Sequence, residues 1–129
     1  MNKIIVEVSI GELLDKISIL EIKQEKIKDP EKLKFISKEH SILKDQLDNN
    51  VKSDEKLNNL FKSLKEINSK LWIIEDDKRL CEKEKKFDEK FIKLSRDVHF
   101  LNDDRAKIKL EINNYTGSTI KEIKEYTSY

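Results

Sequence analysis

Apolar side chains recur along this chain at alternating spacings of three and four, the pattern of amphipathic helices. The first stripe passes through Ile10, Leu13, Ile17, Leu20, Gln24 and Ile27 and predicts a helix from Ile10 to Lys28. A second stripe, Leu33, Ile36, His40, Leu43 and Leu47, predicts another. Leu57, Leu60, Leu64, Ile67, Leu71 and Ile74 predict a third helix from Asp54 to Lys83. At about 1.5 Å per residue it exceeds about 40 Å. A fourth stripe runs through Phe91, Leu94, Val98, Leu101, Arg105, Ile108 and Ile112.

The boundaries between these stripes carry their own chemistry. Ser9 and Glu12 form the capping box S-x-x-E, which opens a helix. Asp29-Pro30 ends the first helix and starts the second, because proline at the first helical position sacrifices no hydrogen bond. The polar run DNNVKSD, Asp48 to Asp54, reads as a loop. A break falls at Lys83 to Phe87, and Gly117 is placed to close the fourth helix. Ahead of the helices, KIIVEV from Lys3 to Val8 is β-branched and predicts a short strand or extended arm. The aperiodic STIKEIKEYTSY after Gly117 is expected to lie extended across the helices. The fold class is therefore mainly all-α: an antiparallel helical bundle or long helical hairpins.

Composition refines this picture. A chain of 129 residues with two glycines and one proline has little from which to build linkers, and a single helical domain over residues 1–129 is expected. Charged residues make up 41% and hydrophobic residues 36%, a balance that borders on disorder. The periodicity and a net charge of only +1 favour folding. Because 27 basic residues are interleaved with 26 acidic ones, neither nucleic acid nor a membrane is an expected partner.

The start MNKIIVEVSIGEL is too short and too acidic for a signal peptide, and no run approaches the roughly 18 apolar residues of a membrane span. A cytoplasmic location is expected. Cys81, the sole cysteine, excludes an internal disulfide and a cysteine-rich metal cage, and is expected to be a small buried side chain. In a reducing compartment the sequon Asn114-Tyr115-Thr116 is a chance match. Ile19, Ile22, Ile73, Leu80, Ile92 and Leu110 fall away from the main stripes. A monomer would leave many of them wet, which predicts a homo-oligomer.

Candidate chemistry concentrates in LWIIEDDKRLCEKEKKFDEKFIKLSRDV, Leu71 to Val98. An antiparallel hairpin turning near Lys85 sets Glu75 against Arg96, Trp72 against His99 and Asn68 against Asn102. Opposed carboxylates and guanidiniums at one level make charge-assisted pairs that fix helix register. The same groups also suit a polar pocket, in which Arg79, Arg96 and Arg105 hold an anionic ligand and Glu75, Asp76 or Asp103 acts as acid or base. A third reading gives clustered carboxylates, or His99 and Asp103 four residues apart, to a divalent cation. The candidate cluster is Glu75, Asp76, Arg79, Arg96, Asn102, Asp103 and Arg105. No resident metal or cofactor is expected.

His40 lies on an apolar stripe and reads as a core or interface histidine, and Trp72 reads as a packing anchor. A phosphate-cradling glycine loop, a nucleophile elbow and a zinc-helix motif are all missing, which lowers the expectation of an enzyme. Small helical enzymes that work with Arg, Lys and Glu keep the question open.

VEVSIGELLDKISILEIK (Val6 to Lys23), LWIIEDDKR (Leu71 to Arg79), FDEKFIKLSRDV (Phe87 to Val98) and NDDRAKIKLEIN (Asn102 to Asn113) resemble an uncharacterised bacterial family of short helical proteins. The likeness extends to Gly117, Ser118 and Tyr126 and is weak from Asp29 to Ile67. Carried over by position, its polar set is Glu7, Glu12, Asp15, Lys16, Glu21 and Lys23, then Glu75, Asp76, Arg79, Glu82, Arg96, Asn102, Asp103, Arg105, Lys109 and Asn113. His99 stands where the family pattern has tyrosine, so no role passes to it. Members of that family are often encoded among glycosyltransferase and other surface-polysaccharide genes, sometimes near tetratricopeptide-repeat proteins. The resemblance therefore implies a pathway and leaves the reaction open. The leading expectation is a non-enzymatic accessory protein with a protein partner in glycan synthesis. The alternative is a small enzyme or binding protein for an anionic sugar or nucleotide-sugar.

Overall fold

The structure, a computed structural model, describes residues 2–129. Four helices make an all-α bundle: α1 Ile10–Lys26, α2 Pro30–Asn50, α3 Glu55–Glu84 and α4 Glu89–Thr116. Each begins where the chain supplies a side-chain acceptor for its otherwise unpaired amides. Ser9 Oγ accepts from the Glu12 amide at 3.0 Å, Asp29 from Glu31 at 3.0 Å, and Asp54 from Leu57 at 2.8 Å. Asp88 caps α4 in the same way. Pro30 occupies the first turn of α2, and Gly117 takes the left-handed conformation that closes α4 (φ 68°).

The helices pair as two hairpins, α1 with α2 and α3 with α4, joined through Val51 to Asp54. Helix α1 is the hub, because it packs against each of the other three. It runs antiparallel to α4: Gly11 meets Asn113, Glu12 meets Lys109 and Asp15 meets Arg105. All four helices contribute to one core of Leu14, Ile17, Leu47, Leu57, Leu64 and Ile112. The α1 stripe predicted from spacing is only part of what α1 buries. A second face, Gly11, Leu14, Asp15, Ser18 and Ile22, is buried as well.

The long hairpin outruns its support. At about 1.5 Å per residue, the 30 residues of α3 span about 45 Å and the 17 residues of α1 only about 25 Å. Between Arg79 and Arg96, Cys81 is the one buried residue, a free thiol. Ile73, Leu80, Phe87 and Ile92 stand exposed on this outer part.

No strand forms among the described residues. Lys3 to Val8 lies outside regular structure with Ile4 91% exposed, because no sheet edge exists to receive its main-chain groups. The segment after Gly117 is likewise irregular. No helix among the described residues is long and apolar enough to cross a membrane.

Candidate functional site

Asp15 is 1% exposed, a burial that a carboxylate tolerates only when partners replace its hydration. It has three. Arg105 donates from Nε to Oδ1 at 3.0 Å and from a terminal nitrogen to Oδ2 at 2.5 Å, a bidentate fork from α4. Asn68 of α3 donates to Oδ1 at 2.8 Å, and its amide also reaches Ser18 Oγ at 2.8 Å. Ser18 in turn donates to the Asp15 carbonyl oxygen. The Asp15 hydrogen bonds raise the Arg105 pKa against the opposing effect of burial.

One turn along α4, Lys109 is nearly buried between carboxylates from two directions. Glu12 of α1 and Glu122 of the C-terminal segment each lie 2.7 Å from its ammonium, and Asp15 lies 3.8 Å away. Burial disfavours the Lys109 charge, but the bonds to Glu12 and Glu122 prevail and its pKa is raised. Glu122 also binds Lys124 at 2.7 Å. The two ammonium groups, Lys109 foremost, hold the Glu122 carboxyl down from the ordinary 4.5 to about 2.

These groups form part of the wall of a cleft of about 670 Å³ between α1, α4 and the C-terminal segment. Val98, His99, Asn102, Asp103 and Ala106 of α4 continue the wall, and Tyr126, Thr127 and Tyr129 face them. The Tyr129 hydroxyl donates to Asp103, and its ring packs edge-on against His99 at 5.1 Å between centroids. The end of the chain is thereby pinned to the middle of α4.

The local fold explains why this corner is tight. A Cβ at Gly11 would stand 2.6 Å from the Lys109 carbonyl oxygen and 2.9 Å from Asn113 Oδ1. Glycine there lets α1 approach α4 closely, and the Gly11 amide donates to Asn113 Oδ1 at 2.7 Å. Ser118 Oγ accepts from the Ile10 amide at 3.2 Å, joining the end of α4 to the start of α1.

The seven sequence-predicted residues divide. Asn102, Asp103 and Arg105 line the cleft, with Asn102 Oδ1 accepting from Arg105 at 3.4 Å. Glu75, Asp76 and Arg79 are exposed along a separate groove of about 320 Å³ beside Ile19, Ile22 and Trp72. Arg105 touches both spaces. Arg96 is exposed and lies over the Phe100 ring at 5.8 Å. No ion pair among the described residues joins it to Glu75. His40 is half-buried and bonded to Glu21 at 3.1 Å, in a second polar group where Lys65 bridges Glu21 and Glu25.

Spacing does not single out Asp15, Lys109 or Glu122; the hairpin register names Asn68, and the family-like polar set holds Asp15 and Lys109. The available signal was the face Gly11, Asp15, Ser18, where small residues flank an acid at helical spacing. Among the described residues no three His, Cys, Asp or Glu side chains converge as a metal-ligand set.

The family described as a family of unknown function (DUF6165) matches residues 4–129. No curated protein and no solved structure matches the chain.

Proposed function

The chain belongs to this family of unknown function, and from its own chemistry we propose that it is a non-catalytic accessory protein whose cleft binds a sugar-bearing ligand. One observation carries this reading. The ionisable groups buried at the cleft floor are already neutralised in place, Asp15 by Arg105 and Lys109 by Glu12 and Glu122. An ammonium between two carboxylates is a weak acid, and both oxygens of the Asp15 carboxylate are already engaged by Arg105. The floor is built to present fixed hydrogen-bonding groups, not to move protons.

The space above that floor suits a small ligand, since such sites commonly measure about 300 to 1,000 Å³. Carboxylate, amide and guanidinium groups side by side complement vicinal hydroxyls, and Tyr126, Tyr129 and His99 offer ring faces to an apolar sugar face. Bacterial surface-polysaccharide synthesis is the setting that the sequence resemblance supports. Self-association belongs to the same reading. Exposed Ile73, Leu80, Ile92 and Leu110 form apolar surface that a second copy would withdraw from water.

The test is a melting-temperature titration with glucose, glucose 6-phosphate, glucuronate and a nucleotide-sugar. A ligand that binds only the folded state raises the melting temperature as its concentration rises. The expected result is a saturable rise that Asp103→Ala diminishes, since Asp103 lines the cleft apart from the Asp15–Arg105 pair. Flat titrations with all four compounds would discard the sugar reading.

A further inference from the structure

The C-terminal segment brings a charge of its own into the cleft, and its attachment is of an unusual kind. The Ser118 amide donates to the Asn113 carbonyl oxygen at 2.9 Å. Beyond it, no main-chain hydrogen bond among the described residues ties residues 119–129 to the helices. Side chains hold this segment: Glu122 between Lys109 and Lys124, and Tyr129 on Asp103. Glu12, the other carboxylate on Lys109, is fixed within α1. Of the two, Glu122 is the one whose backbone lies outside every helix.

Charge balance gives that placement a use. The cleft wall carries four carboxylates, Glu12, Asp15, Asp103 and Glu122, against the three cations Arg105, Lys109 and Lys124. An anion entering in addition would meet a wall already negative by one charge. An anion entering in exchange for Glu122 leaves the balance unchanged and inherits two ammonium partners. Lys109 is only 9% exposed and needs an anionic partner when Glu122 leaves, and the incoming anion supplies one, so the exchange strands no buried charge.

We propose that the cleft takes a sugar bearing a carboxylate or phosphate group, and that Glu122 is the chain's internal stand-in for that group until the ligand displaces it. Only the Glu122 side chain has to swing aside, so Lys124 keeps its place in the wall and Tyr129 keeps the end of the segment on Asp103. The inference rests on the cleft being the sugar site.

Calorimetric titration of the full chain and of Glu122→Gln with glucose 6-phosphate, glucuronate and glucose tests it. The variant is expected to bind one or both charged sugars about tenfold more tightly, as when a competent state rises from about a tenth of the population to nearly all of it. Whichever of the two gains more identifies phosphate or carboxylate as the group. Glucose is expected to bind both proteins alike and more weakly. Charged sugars bound equally or less tightly by Glu122→Gln would overturn the stand-in role, while leaving the sugar site standing. Glucose bound best by both proteins would overturn the anionic class alone. No binding of any sugar by either protein would overturn both readings. Glu122 lies outside every helix, and a far-UV circular dichroism melt checks that the variant folds as the parent does.

Discussion

Arg105 of α4 holds both carboxylate oxygens of Asp15 of α1 across ninety positions of sequence. Asp15 is buried and Arg105 reaches toward the cleft, so the two partners are not equivalent. Arg105→Leu leaves a carboxylate inside the protein with only the Asn68 amide and, at 3.8 Å, the Lys109 ammonium near it, a loss of about 3 to 5 kcal/mol. Urea unfolding of the variant is expected to show this loss. Asp15→Asn in the same background is expected to restore part of it, because the stranded charge is gone. A fully stable Arg105→Leu protein would show that the pair is dispensable.

Arg96 provides the contrast on the same helix. It is exposed and rests on Phe100, so Arg96→Ala is expected to change stability by no more than about 0.5 kcal/mol. The same urea experiment measures it. A loss as large as that for Arg105→Leu would mean that Arg96 has a buried partner after all.

The difference between these two arginines shows how far spacing reaches. Ser9, Asp29-Pro30, Asp54 and Gly117 mark helix ends through local chemistry, and each does so in the structure. The hairpin turn at Lys85 was legible for the same reason, while the pairing counted from it pointed to Glu75 and Arg96, which form no ion pair among the described residues. The location of the buried charge depends instead on where the short α1 crosses the long hairpin, which periodicity within one helix does not encode. A helix touching three neighbours buries more than one stripe, so Asp15, off the predicted stripe, is buried as well. Three of the seven candidate residues line the cleft because Asn102, Asp103 and Arg105 lie near the level that α1 reaches.

Gly11→Ala sets two effects of opposite sign against each other. In an open helix the change adds up to about 1 kcal/mol of helix propensity. Here the new methyl meets the Lys109 carbonyl oxygen at 2.6 Å, and main chain cannot swing aside as a flexible side chain does. Overpacking is expected to win, with a net destabilisation of about 1 to 3 kcal/mol in thermal or urea melts. A variant more stable than the parent would show that α1 and α4 tolerate separation.

Glu122 predicts a pH signature. Its carboxyl is lowered from 4.5 to about 2 in the folded chain, so its contribution is complete above pH 4.5 and is lost as the pH falls toward 2. Lys109 and Lys124 remain charged throughout that window. Melting temperatures of parent and Glu122→Gln are therefore expected to differ most at neutral pH and to converge in acid. A gap that widens in acid would contradict the ion-pair geometry.

Leu80→Lys and Ile92→Lys address the exposed outer part of the hairpin. The parent is expected to sediment above the mass of one chain and each variant closer to it. A parent that sediments as a monomer would remove the self-association reading.

The antiparallel contact of α1 with α4 also bears on how the protein is made. Synthesis, at about 5 to 20 residues per second, delivers α1 well before α4, which carries Arg105, Lys109 and Asn113. The nascent α1 therefore leaves the ribosome with Asp15 unmatched. It cannot settle until α4 has followed, so the first helix of the bundle to be made is among the last to be locked.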